Sequence, residues 1–309
     1  MRALIAGATG FIGRKLVDEL LEGGWYVSCL VREPQDDEAR ELAAAGCEIW
    51  PGDLIQPHTL EGSCEGIDVV YYLAHLMSGT EDEDLVAREE EASRALAREA
   101  KRAGVAQLIY LGGLGDETVS VHLEARNRTA QALREEGPPM TYFRAAMVVG
   151  GESESYVLLK SLVERLPAIP DLPWLQNRTQ PIGVDDVVEY LVEAPSLPAT
   201  RGREIQLGGP EAMTYEQMLE GMAQALGTDP PVALPAPRNL SAKSVGRAAG
   251  SVTRGDPEVA EYLTAGLASD TVVTDPSGVE LFDIEPEDYE LTLARAIEEE
   301  ARAIEEEDE

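Results

Sequence analysis

This 309-residue sequence predicts an α/β fold built on a doubly wound parallel sheet, and three observations carry that prediction. Short apolar runs alternate with helical stretches through the first half of the chain. A glycine-rich turn joins the first run to the first helix. The links between elements are short, as parallel strands with helical crossovers require.

The first strand falls at Ala3–Ala6, a short apolar run suited to a buried parallel strand. Gly7, Gly10 and Gly13 follow. Ile12, Leu16 and Leu20 then recur every four residues, with Val17 and Leu21 beside them, which marks one face of a helix. A dinucleotide pyrophosphate sits at such a strand-to-helix turn, on free backbone N–H groups and the positive helix end. A side chain there would block its approach. Gly7, Thr9, Gly10, Phe11, Ile12 and Gly13 are therefore candidate cofactor contacts.

Further strands are expected near Tyr26–Val31, Glu48–Trp50, Val69–Leu73, Leu108–Leu111 and Tyr142–Val149. Helical stretches lie between them, including 84–103 and 122–135, and Gly23-Gly24, Gly46 and Gly104 stand at helix ends. From Gly150 the rhythm changes. Prolines cluster at Pro167, Pro170 and Pro173 and again from Pro230 to Pro237, marking loops around a smaller lobe. Thr214 and Gln217 form a capping-box pattern that opens a helix running to about Leu226. The heptad ARAIEEE, from Ala294 and again from Ala301, reads as a solvated, frayed acidic helix. The expected division is a nucleotide-binding domain over 1–150, a C-terminal substrate lobe over 151–293 and an acidic tail over 294–309. A sheet-contributing segment is expected near 180–209.

The formal charge is −33, with 58 acidic against 25 basic residues, and lysine occurs only at Lys15, Lys101, Lys160 and Lys243. Such a surface repels itself in ordinary salt. At molar salt the Debye length shrinks to about 3 Å and the repulsion is screened. The expectation is a halophilic, cytoplasmic protein. Nucleic-acid binding needs a basic face and is not expected. No apolar run approaches a membrane span, and no signal peptide is read at the start. Cys29, Cys47 and Cys64 read as buried small hydrophobes, and His58, His75 and His122 are scattered, so no metal site is expected.

The spacing GxxGxxG, in the form GATGFIGR, resembles the extended and atypical short-chain dehydrogenase/reductase families. Other stretches resemble the same families over roughly residues 1–230. Gly52-Asp53-Leu54 follows the third strand, where the family often places an acid near the adenine. Leu73-Ala74-His75 ends the fourth strand beside the expected cofactor, and Tyr110–Gly113 ends the fifth. Residues 144–150 look like the family's sixth strand, with Ala145 where proline is usual. Residues 180–186 and 205–209 look like two stretches of its C-terminal lobe. The likeness is to the NmrA-like branch, which includes relatives of the 39-kDa subunit of respiratory complex I. It implies a Rossmann domain, an NAD(P) cofactor and contacts from Asp53, Leu54, Ala74, His75 and Gly112.

Cofactor preference is argued from charge. An NAD enzyme usually carries an acid at the end of the second strand. Here Val31 occupies that place and Arg32 follows, a residue able to hold a 2′-phosphate bidentately. NADP is expected ahead of NAD.

Working members of the resembled family use a YxxxK pair on the helix after the fifth strand, plus an upstream serine. The tyrosine passes a proton to the substrate oxygen. Here that stretch reads His122-Leu-Glu-Ala-Arg126, and the serine position reads Gly112-Gly113. His122 and Arg126 share a helix face through i, i+4 spacing. His122 could supply a proton near neutral pH. Arg126 could fix the ribose or an anion but stays protonated. A polar lining without chemistry is the other reading of the pair. Asp185 and Asp186 fit a helix start, where they favour its dipole. The expected function is hydride transfer between NADP(H) and a small carbonyl or quinone-like substrate. A non-catalytic nucleotide-bound sensor or assembly subunit, with a protein partner, is the alternative. A sugar-nucleotide epimerase needs the absent tyrosine and stands last.

Overall fold

The computed structural model describes residues 1–75, 82–115, 121–235 and 269–307, with side chains except at 82–85, 121–122 and 306–307. Seven strands form one parallel sheet. They are β1 (Arg2–Ala6), β2 (Tyr26–Val31), β3 (Glu48–Pro51), β4 (Val69–Tyr72), β5 (Gln107–Gly113), β6 (Met140–Ala145) and β11 (Glu204–Leu207). Their order is β11-β6-β5-β4-β1-β2-β3, so the order reverses between β1 and β4. Ligands bind at such a switch point, outside the carboxyl ends of the strands.

Alternation along β1 serves two cores. Ala3 and Ile5 join Leu16, Val17 and Leu20 of α1 (Phe11–Glu22) on one face. Leu4 and Ala6 join Leu96 and Ala100 of α3 (Asp82–Ala103) and Leu133 of α4 (Val121–Glu136) on the other. Burial on both faces explains why the strands read as continuous apolar runs. Helices α1, α2 (Asp37–Ala45) and α3 stop just before Gly23, Gly46 and Gly104, where the sequence places their ends.

The expected strand Tyr142–Val149 divides in two. The chain leaves the central sheet after Ala145, where Ala146 N–H donates to Leu207 O at 2.9 Å. It then forms β7 (Val148–Val149), which pairs in parallel with β10 (Ile182–Gly183). The reason is the length of the neighbouring strand: β5 ends at Gly113, opposite Ala145, and offers no further ladder. An unbroken apolar run conceals such a bend.

The lobe is assembled from α5 (Glu154–Arg165), α7 (Tyr215–Leu226) and α8 (Tyr289–Glu307) around Tyr156, Leu159, Met218, Met222 and Leu293. Two short strand pairs edge it: β8 (Ala168–Asp171) with β13 (Val232–Pro235), and β9 (Arg178–Thr179) with β12 (Met213–Thr214). Both halves of the capping box at Thr214 and Gln217 are made. Residue 237, at the end of the second proline cluster, lies outside the described residues. Of the acidic segment, the first heptad from Ala294 packs against the lobe, whereas Ala301, Arg302, Ile304 and Glu305 of the second are exposed, as a solvated helix would be. Both continue α8, with Ala296 1% exposed and Glu299 and Glu300 tied to other helices. Acid-rich composition alone does not reveal that an inner helix stripe is apolar.

Candidate nucleotide cleft

The glycine turn can be read atom by atom. Gly7 has φ +95°, and a Cβ on it would lie 2.7 Å from Ala74 N and Leu73 C at the end of β4. On Gly13 a Cβ would lie 2.0 Å from Gly7 O. The protein's own packing therefore demands both glycines. Gly10 is different, since a Cβ there would meet nothing closer than Gly7 O at 3.4 Å, an ordinary contact. The free space beside Gly10 matters only to something that approaches from outside. Gly10 also begins α1 without a side-chain cap, and the first turn of the helix contains no acid. An uncapped helix start leaves N–H donors and a positive dipole end open. In so acidic a chain, that is a local reversal of charge. The residues present fit a pyrophosphate group.

The turn opens into a cleft of about 520 Å³ between the sheet and the lobe. Among the expected contacts, Gly7, Gly10, Phe11, Ile12, Gly13, His75 and Gly112 line it. Thr9, Arg32, Asp53, Leu54 and Ala74 do not. Arg32 is exposed just past β2. Asp53 accepts from Ile55 N–H and Gln56 Nε2, both at 3.1 Å, and so shapes its own loop. Leu54 is buried in the second core, against which Ala74 packs. Gly112 also has an internal reason to be glycine, because a Cβ would lie 2.9 Å from the Tyr142 ring. Arg14 Nη2 pairs with the cleft-lining Glu152 at 3.2 Å.

His122 and Arg126 both fall on α4, but the His122 side chain lies outside the described residues. Arg126 lines the cleft, with Nη1 3.1 Å from where a Gly113 Cβ would sit. Beneath it, Tyr110 stacks on Tyr142 at 5.0 Å, and its hydroxyl donates to Arg126 O at 3.1 Å. Burial raises the Tyr110 phenol well above its ordinary value, so it is a structural tie. Arg144 donates to Gly113 O at 3.3 Å and Gly115 O at 2.9 Å, which pins the loop after β5.

One YxxxK spacing does exist in the chain, Tyr156 to Lys160. It lies on α5, and both side chains converge on Glu300 of α8. It is a strut of the lobe. Asp185 and Asp186 sit in the first turn of α6 (Val184–Glu193), as a helix start favours. Asp185 pairs with Lys15 at 3.0 Å. Asp186 is buried, and that burial pushes its carboxyl up to about 6 although Glu287 N–H donates to it.

Several cleft-lining residues carry no sequence signal, among them Leu123, Met147, Ser153, Ser155, Tyr215 and Thr271. Ala145 to Val148 could have been found from the strand-end rule had the bend after β6 been legible.

A parallel sheet with a phosphate-sized turn at its switch point defines a nucleotide-binding protein of the dehydrogenase type. The chain matches the NAD(P)H-binding family over residues 7–164 and belongs to it, within the NmrA-like, atypical short-chain dehydrogenase/reductases. It is 30% identical to ceramide reductase of Caulobacter vibrioides, over 81% of this chain and 78% of that protein. It is 26% identical to photosystem II assembly factor Ycf39 of Trieres chinensis, over 74% and 70%. It is 25% identical to NAD(P)H azoreductase of Xenophilus azovorans, over 72% and 73%. Among solved structures, UDP-glucose 4-epimerase of Thermotoga maritima superposes with TM-score 0.73 at 18% identity, covering 98% of this chain and 100% of that one. That likeness speaks to the fold alone. Among the described residues no helix is long and apolar enough to cross a membrane, and no cluster of three or more His, Cys, Asp or Glu could hold a metal ion.

Proposed function

We propose that this protein is an NADPH-dependent reductase of small apolar carbonyl or quinone-like compounds. The observation that carries the reading is the uncapped, acid-free start of α1, with room at Gly10, opening into a largely apolar cleft. A reduced nicotinamide, when bound, supplies a hydride. Backbone N–H groups of Phe11, Ile12 and Gly13 hold the pyrophosphate. Arg32 holds the 2′-phosphate, which makes NADPH the preferred form. Arg126 fixes the ribose or an anionic group, and His122 is a proton donor on the expected helix. His75 and Gly112, which line the cleft, complete the cofactor contacts there, and contacts from Thr9, Asp53, Leu54 and Ala74 rest on the family resemblance alone. Residues 1–150 serve the cofactor and 151–293 shape the substrate side. Two of the relatives are named reductases, which supports the reading. The protein is assigned to a halophilic cytoplasm on charge alone.

A nucleotide-bound assembly or sensor protein is the second reading. The absence of YxxxK from α4 and the similarity to Ycf39 favour it. Calorimetry in high salt separates the first questions. NADPH should bind, NADH should bind more weakly, and Arg32→Ala should weaken NADPH selectively while sparing NADH, the loss growing to tenfold or more as salt is lowered in parallel titrations. A charge-assisted contact contributes roughly 1.5–3 kcal/mol. Binding of neither cofactor by the wild type would sink the proposal. A screen of carbonyls and quinones, following NADPH oxidation optically, decides between reductase and sensor. If His122 donates the proton, His122→Ala loses about 10²–10⁴-fold in turnover. Firm NADPH binding with no turnover on any compound favours the second reading.

A further inference from the structure

Arginine gathers at one place outside the cleft, in a chain whose formal charge is −33. A second groove, of about 520 Å³, lies between α4, β6 and the edge strand β11. It shares no lining residue with the nucleotide cleft. Three arginines line it, Arg128, Arg134 and Arg144, against two carboxylates, Glu124 and Glu204. The local balance is therefore positive where that of the whole molecule is strongly negative. Two periodicities build the place. Asn127, Gln131 and Arg134 recur at i, i+4 and i+7, which is one face of α4. On β6, Tyr142 joins the core beneath α4, Arg144 follows on the same face two residues later, and Glu204 of β11 stands opposite Tyr142.

The three guanidinium groups are held differently. Arg144 is fixed, with Nε donating to Gly113 O at 3.3 Å, Nη2 to Gly115 O at 2.9 Å and Nη1 to Glu204 Oε1 at 3.0 Å. Arg134 reaches the other oxygen of Glu204 only at 3.5 Å. Arg128 reaches Glu124 at 3.5 Å and Glu90 at 3.8 Å. Arginines elsewhere sit much closer to their partners, as in Arg94 with Glu90 at 2.8 Å, Arg102 with Glu99 at 2.7 Å and Arg295 with Glu287 at 2.6 Å. Two loosely held cations thus stand beside one rigid one. Glu204 shows where an oxyanion sits, because Arg134 and Arg144 converge on its two oxygens. It is the first residue of an edge strand and is part-exposed, so it can yield that seat to an anion from outside. A single carboxylate has too few oxygens for three guanidinium forks, each with five donors. A phosphate dianion has three strong acceptors and takes such forks in bidentate pairs. The groove has more room than a phosphate ion fills, and Asn127 and Gln131 supply hydrogen bonds for the group that carries it.

We propose that this groove binds a small phosphorylated molecule, with its phosphate taken by Arg128, Arg134 and Arg144 in place of Glu204. The site is separate from the nucleotide cleft and stands or falls independently of the reductase reading.

The test titrates inorganic phosphate into the whole protein, followed by ³¹P NMR, at a fixed ionic strength of about 1 M in potassium chloride. There the Debye length is about 3 Å, so the repulsion of an acidic molecule for any anion is screened while direct contacts persist. Phosphate can also enter the glycine turn, so Gly10→Val is the background. Saturable binding should persist in Gly10→Val. Adding Arg128→Gln and Arg134→Gln, at side chains more than half exposed, should weaken it about tenfold or more with melting unchanged. Arg40→Gln, at an exposed position outside the groove, should leave it as it is. Glu204→Gln, which removes the competing carboxylate, should tighten it. Glycerol 3-phosphate should compete at least as well as inorganic phosphate. Phosphate that binds the wild type but not Gly10→Val belongs to the glycine turn, which upholds the nucleotide site and overturns the groove. Absence of saturable binding, equal binding after both arginine substitutions, or a preference for citrate over phosphate also overturns the proposal.

Discussion

Three glycines on one turn have three different reasons, and substitution separates them. Gly13 faces Gly7 O with no room for a methyl, so Gly13→Ala should cost about 1–3 kcal/mol of stability, the usual range for overpacking. Gly10 has room within the protein, so Gly10→Val should melt near the wild type yet lose NADPH binding. Thermal melts beside fluorescence titration of NADPH measure both, and a Gly10→Val protein that binds normally contradicts the site. Asp186 gives a pH prediction. Burial raises its folded-state carboxyl to about 6, above an unfolded value near 3.9. The native state then binds the extra proton, and stability falls as pH rises from about 4 through about 6. Asp186→Asn keeps an acceptor for Glu287 N–H and removes the charge. Its denaturation midpoint relative to wild type should therefore climb between pH 4.5 and 7.5, whereas parallel curves would refute the assignment.

At the scale of elements, α8 is the piece that joins domain to lobe. Glu299 accepts from Lys15 of α1 at 2.5 Å through one oxygen and from Gly151 N–H at 2.9 Å through the other. Glu300 takes Tyr156 and Lys160 of α5. Burial alone would lower the Lys15 ammonium, but hydrogen bonds to Glu299 and Asp185 hold it above its ordinary value. Two of the four lysines in the chain thus serve one helix. Charge-assisted hydrogen bonds contribute roughly 1.5–3 kcal/mol. Glu299→Ala should therefore lower the unfolding free energy, read from denaturant curves, by about that much, while the exposed neighbour substitution Glu298→Ala stays within about 0.5 kcal/mol. Equal effects from the two variants would show that α8 is held by its apolar stripe alone.

Over the whole molecule, 58 acids face 25 bases, and among the described residues cations such as Lys15, Arg102 and Arg144 are already paired with carboxylates. Self-repulsion of that size weakens the compact state until salt screens it. Melting midpoints should rise steeply between about 0.1 and 3 M salt. A flat dependence removes the halophilic assignment without touching the fold, because the two cores and the sheet order do not depend on surface charge.

The sequence by itself determined the alternation of strands and helices, the glycine turn at Gly7–Gly13 and the capping box at Thr214–Gln217. Each is local: a period of apolar residues, a backbone that tolerates no Cβ, or a side chain reaching three residues along. Tertiary structure alone decided what distant segments bring to one place. Tyr215, Thr271 and Arg126 meet across a cleft although up to 145 residues separate them. The bend after Ala145 follows from where a neighbouring strand ends. Asp186 reads as an exposed helix-start acid until Glu287 and α8 cover it. Burial and the pairing of remote side chains depend on which faces pack together, and a periodic pattern specifies that a face is apolar without saying what lies against it.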